Sequence, residues 1–190
     1  MEPKDLGAIR NITVSGRIGS GATTLATHLA NTLSWNFMDG GKIFRALTQD
    51  HGFAKDRDDN FDIEYEEKIK KILREEKHHI IQSHLAGFDA QGIEGVFKIF
   101  IVCEDENGND KTDIRIDRLV NRDGMDVETA KFELKERDKQ NLEKWRRLYA
   151  NSDPTWVYWD KKYYDLVINT FNLNQEGARK KVLAALGINN

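Results

Sequence analysis

A glycine-rich segment near the start of the chain, GRIGSGATT, most constrains what this sequence can fold into. Gly16, Gly21 and Thr23 fit the spacing G-x-x-x-x-G-K-S/T, and Ala22 occupies the lysine position. The apolar run before the segment predicts a strand, and the leucines after it predict an amphipathic helix. In the order strand, glycine-rich loop and helix, the N–H groups of the loop and the N-terminus of the helix point to the same place and can bind one anion there. The segment therefore predicts a phosphate-binding loop without the lysine charge; the alternative is a glycine turn that binds nothing.

Strand-like and helix-like patterns alternate along the rest of the chain. The helix patterns cover residues 64–77 and 127–149, and Asp126 is the predicted N-cap of the second. The alternation predicts an α/β fold in which helices flank a doubly wound parallel sheet. A chain of 190 residues has room for one such core, with ligands expected at the carboxyl ends of the strands. The predicted strands are residues 9–14, 35–38, 79–83, 96–103 and 166–169.

The composition narrows the class of partner. The net charge is −3 and the chain has no basic tract, so nucleic acid is not an expected partner. The single cysteine, Cys103, excludes a disulfide framework, which favours a reducing, cytoplasmic compartment. Because no apolar run approaches the length of a membrane span, we expect no membrane partner.

Two cationic stripes are predicted on consecutive helices, because their members recur at intervals of three or four residues. The stripes consist of Arg115, Arg118 and Arg122, and of Arg137, Asn141 and Lys144. The short segment 123–126 joins the two helices, so the pair has the form of a lid that closes over transferring phosphates. The alternative is that each stripe is a solvated helix face paired with neighbouring carboxylates.

Six segments in a fixed order carry a resemblance to a known family. They are GSGATT at 19–24, DGGKIFR at 39–45, IIQSHLAGF at 80–88, IRIDRLVNRDGMDVETA at 114–130, ERDKQNLEKW at 136–145 and YYDLVINT at 163–170. In these segments the sequence resembles the cytidylate kinases, in particular those of the archaeal type. The resemblance implies a single P-loop nucleoside monophosphate kinase domain over residues 1–190, a three-layer sandwich around a parallel five-stranded sheet. It also implies a small monophosphate-binding lobe near residues 41–78 and a lid near residues 115–137.

The resemblance further implies phosphoryl transfer from ATP to CMP or dCMP, with ATP and Mg²⁺ as cofactors and small nucleotides as partners. The residues implied to bind ATP are Gly16, Arg17, Gly19, Ser20, Gly21, Ala22, Thr23, Thr24 and Arg118, with Thr23 also near the metal. The residues implied to bind the acceptor are Asp39, Arg45, His84, Gly87 and Asn141. The residues implied to face the transferring phosphoryl group are Arg122, Arg137 and Lys144.

Several positions depart from the family pattern. Relatives read E-G-R-L-A-G where this chain has Gln82 to Gly87, so an acidic group is lost at Gln82 and an arginine at His84. Lys144 replaces a lid arginine, and Gly40 replaces a serine or alanine. Replacing a cation that contacts transition-state charge costs several orders of magnitude in rate. Two hypotheses therefore stay open: an active cytidylate-type kinase, and a nucleotide-binding protein of kinase fold with weak or no transfer. A kinase for another small acceptor is a third alternative.

Two side chains and one aromatic patch have two interpretations each. Arg17 is predicted either to supply the charge missing at Ala22 or to point into solvent, and Lys42 is a second candidate for that charge. His84 either contacts phosphate or is a structural histidine. The patch predicts core packing or self-association, in a monomer or weak homodimer, rather than nucleic-acid stacking. Its members are Trp156, Tyr158, Trp159, Tyr163 and Tyr164.

Overall fold

The computed structural model describes residues 2–43 and 58–188. Its strands are β1 (Asn11–Gly16), β2 (Asn36–Asp39), β3 (His79–Gln82), β4 (Val96–Val102) and β5 (Leu166–Asn169). They form one sheet in the order β2-β3-β1-β4-β5, and every neighbouring pair is parallel. The predicted five-stranded parallel sheet is therefore confirmed, including the strand with the weakest sequence pattern, β2.

Helices cover both faces of this sheet. They are α1 (Ala22–Leu33), α2 (Asp59–Glu75), α3 (Ala86–Asp89), α4 (Thr112–Asp123), α5 (Val127–Tyr149) and α6 (Gln175–Ala185). The predicted start of α5 is confirmed, since the Asp126 carboxylate accepts the N–H of Thr129 at 2.9 Å. Helix α2 begins before the predicted residue 64 because Asp58 caps it and accepts the N–H of Asn60 at 3.0 Å. Residues 40–43 are also helical.

Alternate residues of the strands face opposite layers, as the period of a strand requires. On one face, Ile12, Ile99 and Ile101 pack against α1 and α6. On the other face, Phe100 and Val102 pack against α5 and the aromatic residues that follow it. Strand β4 is therefore buried on both sides, which explains why its sequence is almost continuously apolar.

The aromatic patch belongs to this second layer. Tyr158 and Tyr164 are buried, and the Tyr158 ring centroid lies 5.2 Å from that of Trp145 in α5. Trp156 and Trp159 are partly buried against the same cluster. Core packing, the first of the two predicted roles, is confirmed for these residues.

Helices α4 and α5 form a pair over the loop that follows β1. They are joined at Gly124, which adopts a left-handed conformation with φ of 68° and ends α4. Ile18, from the loop, is buried in the small apolar core of this pair; the core also contains Ile116, Leu119, Ala130 and Leu134. The helix pair that we predicted as a lid therefore packs directly on the loop.

The strand order places this loop where ligands bind in such sheets. Strands β2 and β3 lie on one side of β1, and β4 and β5 lie on the other, so the chain direction around the sheet reverses at β1. The carboxyl end of a strand at such a switch point opens into a crevice. Within residues 2–43 and 58–188, no helix is both long and apolar enough to cross a membrane.

Candidate active site

The loop after β1 is tightly closed, and two of its glycines leave no space for a side chain. A Cβ atom on Gly16 would lie 2.4 Å from the Ser20 hydroxyl oxygen. At Gly19, φ is +76° and a Cβ atom would lie 2.5 Å from the carbonyl oxygen of Arg115, in α4. A left-handed conformation with backbone this close requires glycine. The glycine spacing seen in the sequence is thus needed both to close the loop and to seat it against α4.

The first turn of α1 presents free N–H groups to this loop. Gly21 is the N-cap, and no side chain among the described residues caps the helix or places a negative charge in its first turn. The leading N–H groups of a helix have no intrahelical partner, and the helix dipole makes this end positive. The turn that holds Ala22, Thr23 and Thr24 is therefore able to bind an anion through the backbone, without the missing lysine.

Two oxygen-bearing side chains meet beside this turn. The Thr23 hydroxyl donates to Oε1 of Gln82 at 3.1 Å, and Gln82 ends β3 at the same edge of the sheet. Hydroxyl and amide oxygens are hard ligands of the kind that Mg²⁺ accepts, and Mg²⁺ in kinase sites takes most of its other ligands from phosphates and water. The described residues hold no group of three or more His, Cys, Asp or Glu side chains that would form a metal cage. The donor set fits a magnesium ion shared with bound phosphates.

A groove of about 1040 Å³ extends from the loop along α1 to α4 and α6. Arg118 forms one wall, where its guanidinium donates to Oγ1 and the carbonyl oxygen of Thr170, both at 2.9 Å, and to the carbonyl of Ser20 at 3.2 Å. All of these acceptors are uncharged, so the arginine is fixed in orientation and keeps its charge. A fixed, planar guanidinium is suited to stack on a flat ring or to pair with phosphate. Arg122 lines the same groove.

Arg115 does not share the groove with Arg118 and Arg122. Its side chain is fully buried, and Nε donates to the carbonyl oxygen of Ile18 at 2.7 Å. Its two terminal nitrogens pair with Asp110 at 2.8 Å and with Asp138 at 2.9 Å. The prediction that one helix face presents three cations to phosphates therefore holds at most for two of them, because the first is used to fix the loop.

Arg17 also has a partner that the sequence did not indicate. Its guanidinium pairs with Asp138 at 2.8 Å and with Asp110 at 3.4 Å, and it lies over the Trp159 ring, 4.8 Å from the centroid. It is not among the described residues that line the groove. Arg17 therefore neither points into solvent nor faces the position left by the lysine. The second candidate for that charge, Lys42, is exposed.

On the acceptor side, His84 takes the place of an arginine but carries no charge at neutral pH. Its Nδ1 lies 2.8 Å from the carbonyl oxygen of Gly16, which accepts, so Nδ1 carries the proton. The ring packs beside those of Trp145 and Tyr158, with centroid distances of 5.7 and 6.0 Å. Burial in this setting lowers the pKa of His84 to about 4, although Asp138 acts in the opposite direction. This geometry favours the structural role over the phosphate contact.

Lys144 is held by carboxylates of α2. It is 6% exposed and forms ion pairs with Asp62, which is 3% exposed, and with Asp59 at 3.5 Å. The pair joins the long lid helix to the helix of the predicted monophosphate lobe. Asn141 is buried one turn earlier on α5, and Arg137 is half-buried with Glu133 at 3.4 Å.

Two further predicted site residues, Asp39 and Gly87, and the substituted position Gly40 lie at the end of β2 or in the segment that follows β3. The Asp39 carboxylate accepts the N–H of Lys42 at 2.9 Å and so caps the helical residues 40–43. A Cβ atom on Gly40 would lie 2.6 Å from the Tyr65 hydroxyl, so this tyrosine occupies the space that the serine or alanine of relatives would need. The N–H of Gly87 donates to Ser15 at 3.0 Å. Arg45, the predicted monophosphate ligand, lies outside the described residues.

The sequence patterns did not single out two residues that matter at the site, Thr170 and Asp138. Thr170 follows β5 directly, and the rule that ligands meet the carboxyl ends of strands was a signal that would have found it. Asp138 sits beside the predicted Arg137, but nothing in its spacing distinguishes it from other acidic residues of a charged helix.

Comparison with known proteins agrees with this geometry. A family model described as an AAA domain matches residues 12–143. Over 182 residues the chain is 32% identical to a cytidylate kinase of Natronomonas pharaonis, covering 92% of this chain and 88% of that protein. The chain belongs to the cytidylate kinase family. The resemblance inferred from the six ordered segments is thereby confirmed.

Solved structures share the fold of this member of the cytidylate kinase family. An uncharacterised protein from Eubacterium ventriosum superposes with a TM-score of 0.66 at 21% identity, over 94% of this chain and 98% of that one. A shikimate kinase from Acinetobacter baumannii, solved with shikimate, gives a TM-score of 0.55 at 16% identity over 94% of each chain. At these identities the similarity describes the fold alone.

Proposed function

We propose that the protein transfers the γ-phosphoryl group of ATP to CMP or dCMP in the presence of magnesium. The observation that supports this most directly is the continuity of the site. The uncapped first turn of α1 and the Thr23–Gln82 pair open into a groove whose far wall holds Arg118, fixed by uncharged acceptors. Together with family membership, this arrangement supports a site for a nucleoside triphosphate.

The donor side works through backbone and arginine groups. The N–H groups of the loop and of the first turn of α1 hold the β- and γ-phosphates, and Arg118 orients the adenine. Thr23 and Gln82 would hold magnesium, which when bound there neutralises phosphate charge. Arg122 and Arg137 are assigned to the charge that develops on the transferring group. We assign Lys144 to holding α5 against α2, because its ammonium is matched by Asp62 and Asp59.

In the reaction itself, an oxygen of the acceptor monophosphate forms a bond to the γ-phosphorus. The bond between the γ-phosphorus and the β–γ bridging oxygen breaks, and the bridging oxygen keeps the electron pair as ADP leaves. The residues position both reactants in line and stabilise charge, and no covalent intermediate on the protein is required. On the acceptor side we retain Arg45, Asp39, Gly87 and Asn141 as the proposed binding residues, in a cytoplasmic enzyme.

The test is magnesium-dependent ADP release from ATP with CMP, dCMP, UMP, AMP and GMP as acceptors. CMP and dCMP should react fastest. The variant Thr23→Val should lose most of this activity, because it removes the hydroxyl that meets Gln82. Thr32→Val is a matched control on the same helix, since its hydroxyl bonds only the carbonyl oxygen of His28 in the described structure. Rates at background with every acceptor would contradict the proposed activity.

A second candidate function is favoured by one set of observations. Ala22 lacks the lysine charge, His84 is neutral and Lys144 is paired with carboxylates, so a nucleotide-binding protein with weak transfer also has support. The same experiment separates the two functions. ATP binding with a flat acceptor panel supports the binding protein, whereas a preference for an acceptor outside the nucleotides supports a kinase for another small molecule.

A further inference from the structure

Two arginines and two aspartates form a closed ring of alternating charge where the loop meets the lid. Arg17, in the loop, pairs with Asp138 of α5 at 2.8 Å and with Asp110, before α4, at 3.4 Å. Arg115 of α4 pairs with the same two carboxylates at 2.8 and 2.9 Å. Each carboxylate is therefore shared by both arginines, and the four formal charges cancel.

The inner members of the ring, Arg115 and Asp138, are shielded from water, which makes them costly to separate, whereas the side chains of Arg17 and Asp110 are each 26% exposed. Arg115 is fully buried, the Asp138 side chain is 10% exposed, and Arg17 is covered by the Trp159 ring. An apolar contact reinforces it, because Ile18, next to Arg17, is buried in the core of the lid helices. Removing one partner from a buried ion pair leaves a charge without compensation, so the ring strongly favours the docked arrangement.

We infer that Arg17 is a positioning residue that docks the base of the lid on the phosphate-binding loop. The inference rests on the proposed phosphoryl transfer. Asp138 directly follows Arg137 in α5, so fixing Asp138 at the loop also fixes the backbone of Arg137 near it. Arg17 thus acts on the reaction through the lid, without contacting phosphate. The loop lacks its own lysine, and the docked lid supplies a neighbouring cation, Arg137.

The first test measures the docking itself and does not depend on activity. Amide hydrogen exchange is followed in the nucleotide-free protein for the parent and for Arg17→Gln. Exchange in residues 112–138 should become faster by about tenfold or more in the variant, while exchange in β1 and β4 should be unchanged, because only the docked state is destabilised. Lys98→Gln is the control: it breaks another partly exposed ion pair, Lys98–Asp165 at 2.9 Å, away from the loop. Equal exchange of residues 112–138 in parent and Arg17→Gln would overturn the inference.

The second test separates positioning from phosphate contact. Arg17→Gln should lower kcat by about tenfold or more and change the dissociation constant of ATP by less than about threefold. Arg17→Lys should recover part of kcat, because one ammonium can meet Asp138 but cannot bridge both carboxylates. A large loss of ATP affinity with kcat preserved would show that Arg17 binds phosphate and would contradict the positioning role.

A double-mutant cycle with Asp138→Asn measures whether Arg17 acts through its contact with Asp138. If the two side chains act through their contact, the effects of Arg17→Gln and Asp138→Asn on lid exchange should be clearly less than additive. Additive effects would contradict the coupling. If the parent shows no phosphoryl transfer at all, the proposed function fails, but the exchange measurements still decide whether Arg17 docks the lid.

Discussion

The cations of the donor half of this site, which is proposed to bind ATP, have different partners from those of the acceptor half, which is proposed to bind the monophosphate. In the donor half, Arg118 is fixed by carbonyl and hydroxyl oxygens, which are uncharged, so its positive charge is retained at the groove. In the acceptor half, Lys144 is paired with Asp62 and Asp59, and His84 is neutral. The comparison teaches that the partner of a cation, rather than its presence in the sequence, decides whether it remains available to an anion. A neutral acceptor fixes a charge in place, whereas a carboxylate cancels it.

The largest expected effect concerns the cancelled charge of Lys144. Lys144→Met leaves the Asp62 carboxylate buried without its ammonium, so the free energy of unfolding should fall by about 3 kcal/mol in denaturant titrations. Lys144→Met combined with Asp62→Leu should recover most of the loss, because no charge is then stranded. If Lys144→Met instead keeps its stability and raises the KM for CMP, the lysine serves the acceptor and the contrast between the two halves is broken.

Removing the charge of Arg118 should weaken the binding of ATP. Arg118→Ala should weaken ATP binding by roughly tenfold to a hundredfold in titration calorimetry, because it removes a fixed cation from the groove wall, and CMP binding should be unchanged. Arg10→Ala is a matched control, since Arg10 also donates to carbonyl oxygens, those of Arg74 and Glu76, but lies before β1. Equal weakening of ATP and CMP binding would show that Arg118 does not belong to the donor half alone.

Because His84 is neutral in the folded protein, the free energy of unfolding should depend on pH. Because the pKa is lowered from 6.5 to about 4 in the folded protein, the stability associated with the neutral ring is fully present above pH 6.5. It should be lost as the pH falls from 6.5 towards 4, by at most about 1.4 kcal/mol per pH unit. Denaturant unfolding of the parent and of His84→Asn at pH 7, 5.5 and 4.5 measures this, with His28→Gln as a control on α1. Parallel pH profiles for the parent and His84→Asn would show that folding does not lower the pKa of His84.

A smaller pH dependence of stability, of opposite sign, is expected from two buried carboxyl groups. The carboxyl groups of Glu66 and Asp89 are both buried in the interior, and burial raises the pKa of both, that of Asp89 to about 6. Stability associated with the protonated Asp89 is present below its ordinary value of 3.8 and is lost as the pH rises through 6. Glu66→Gln should flatten this dependence, which is expected to be on the order of 1 kcal/mol. The exposed Glu64→Gln should leave it unchanged, and an unchanged slope in Glu66→Gln would show that Glu66 does not influence the titration of Asp89.

Local patterns predicted the framework well. The loop, the strands and the capped start of α5 depend on spacing within a few residues, which the sequence displays directly. Gly16 and Gly19 illustrate this, because their requirement for glycine follows from the loop geometry that the motif encodes.

The partners of the charged residues were not predictable in the same way. Arg17 meets Asp138, which is 121 residues away, and Arg115 meets Ile18, which is 97 residues away. Arg115 and Arg118 lie on neighbouring positions of one helix, yet one is buried against the loop and the other lines the groove. Helical spacing gives the face of a residue but not what packs against that face. The same limit applied to His84, whose charge depends on aromatic rings that come much later in the chain.

The central claim is that the donor half binds nucleotide through backbone N–H groups and a cation fixed by neutral acceptors, without a lysine at position 22. The most direct measurement is the dissociation constant of ATP, with magnesium, for the parent and for Ala22→Lys by titration calorimetry. The parent should bind ATP, and the added lysine should change the dissociation constant by less than about tenfold. A parent that binds no ATP, beside an Ala22→Lys variant that binds it, would contradict the claim.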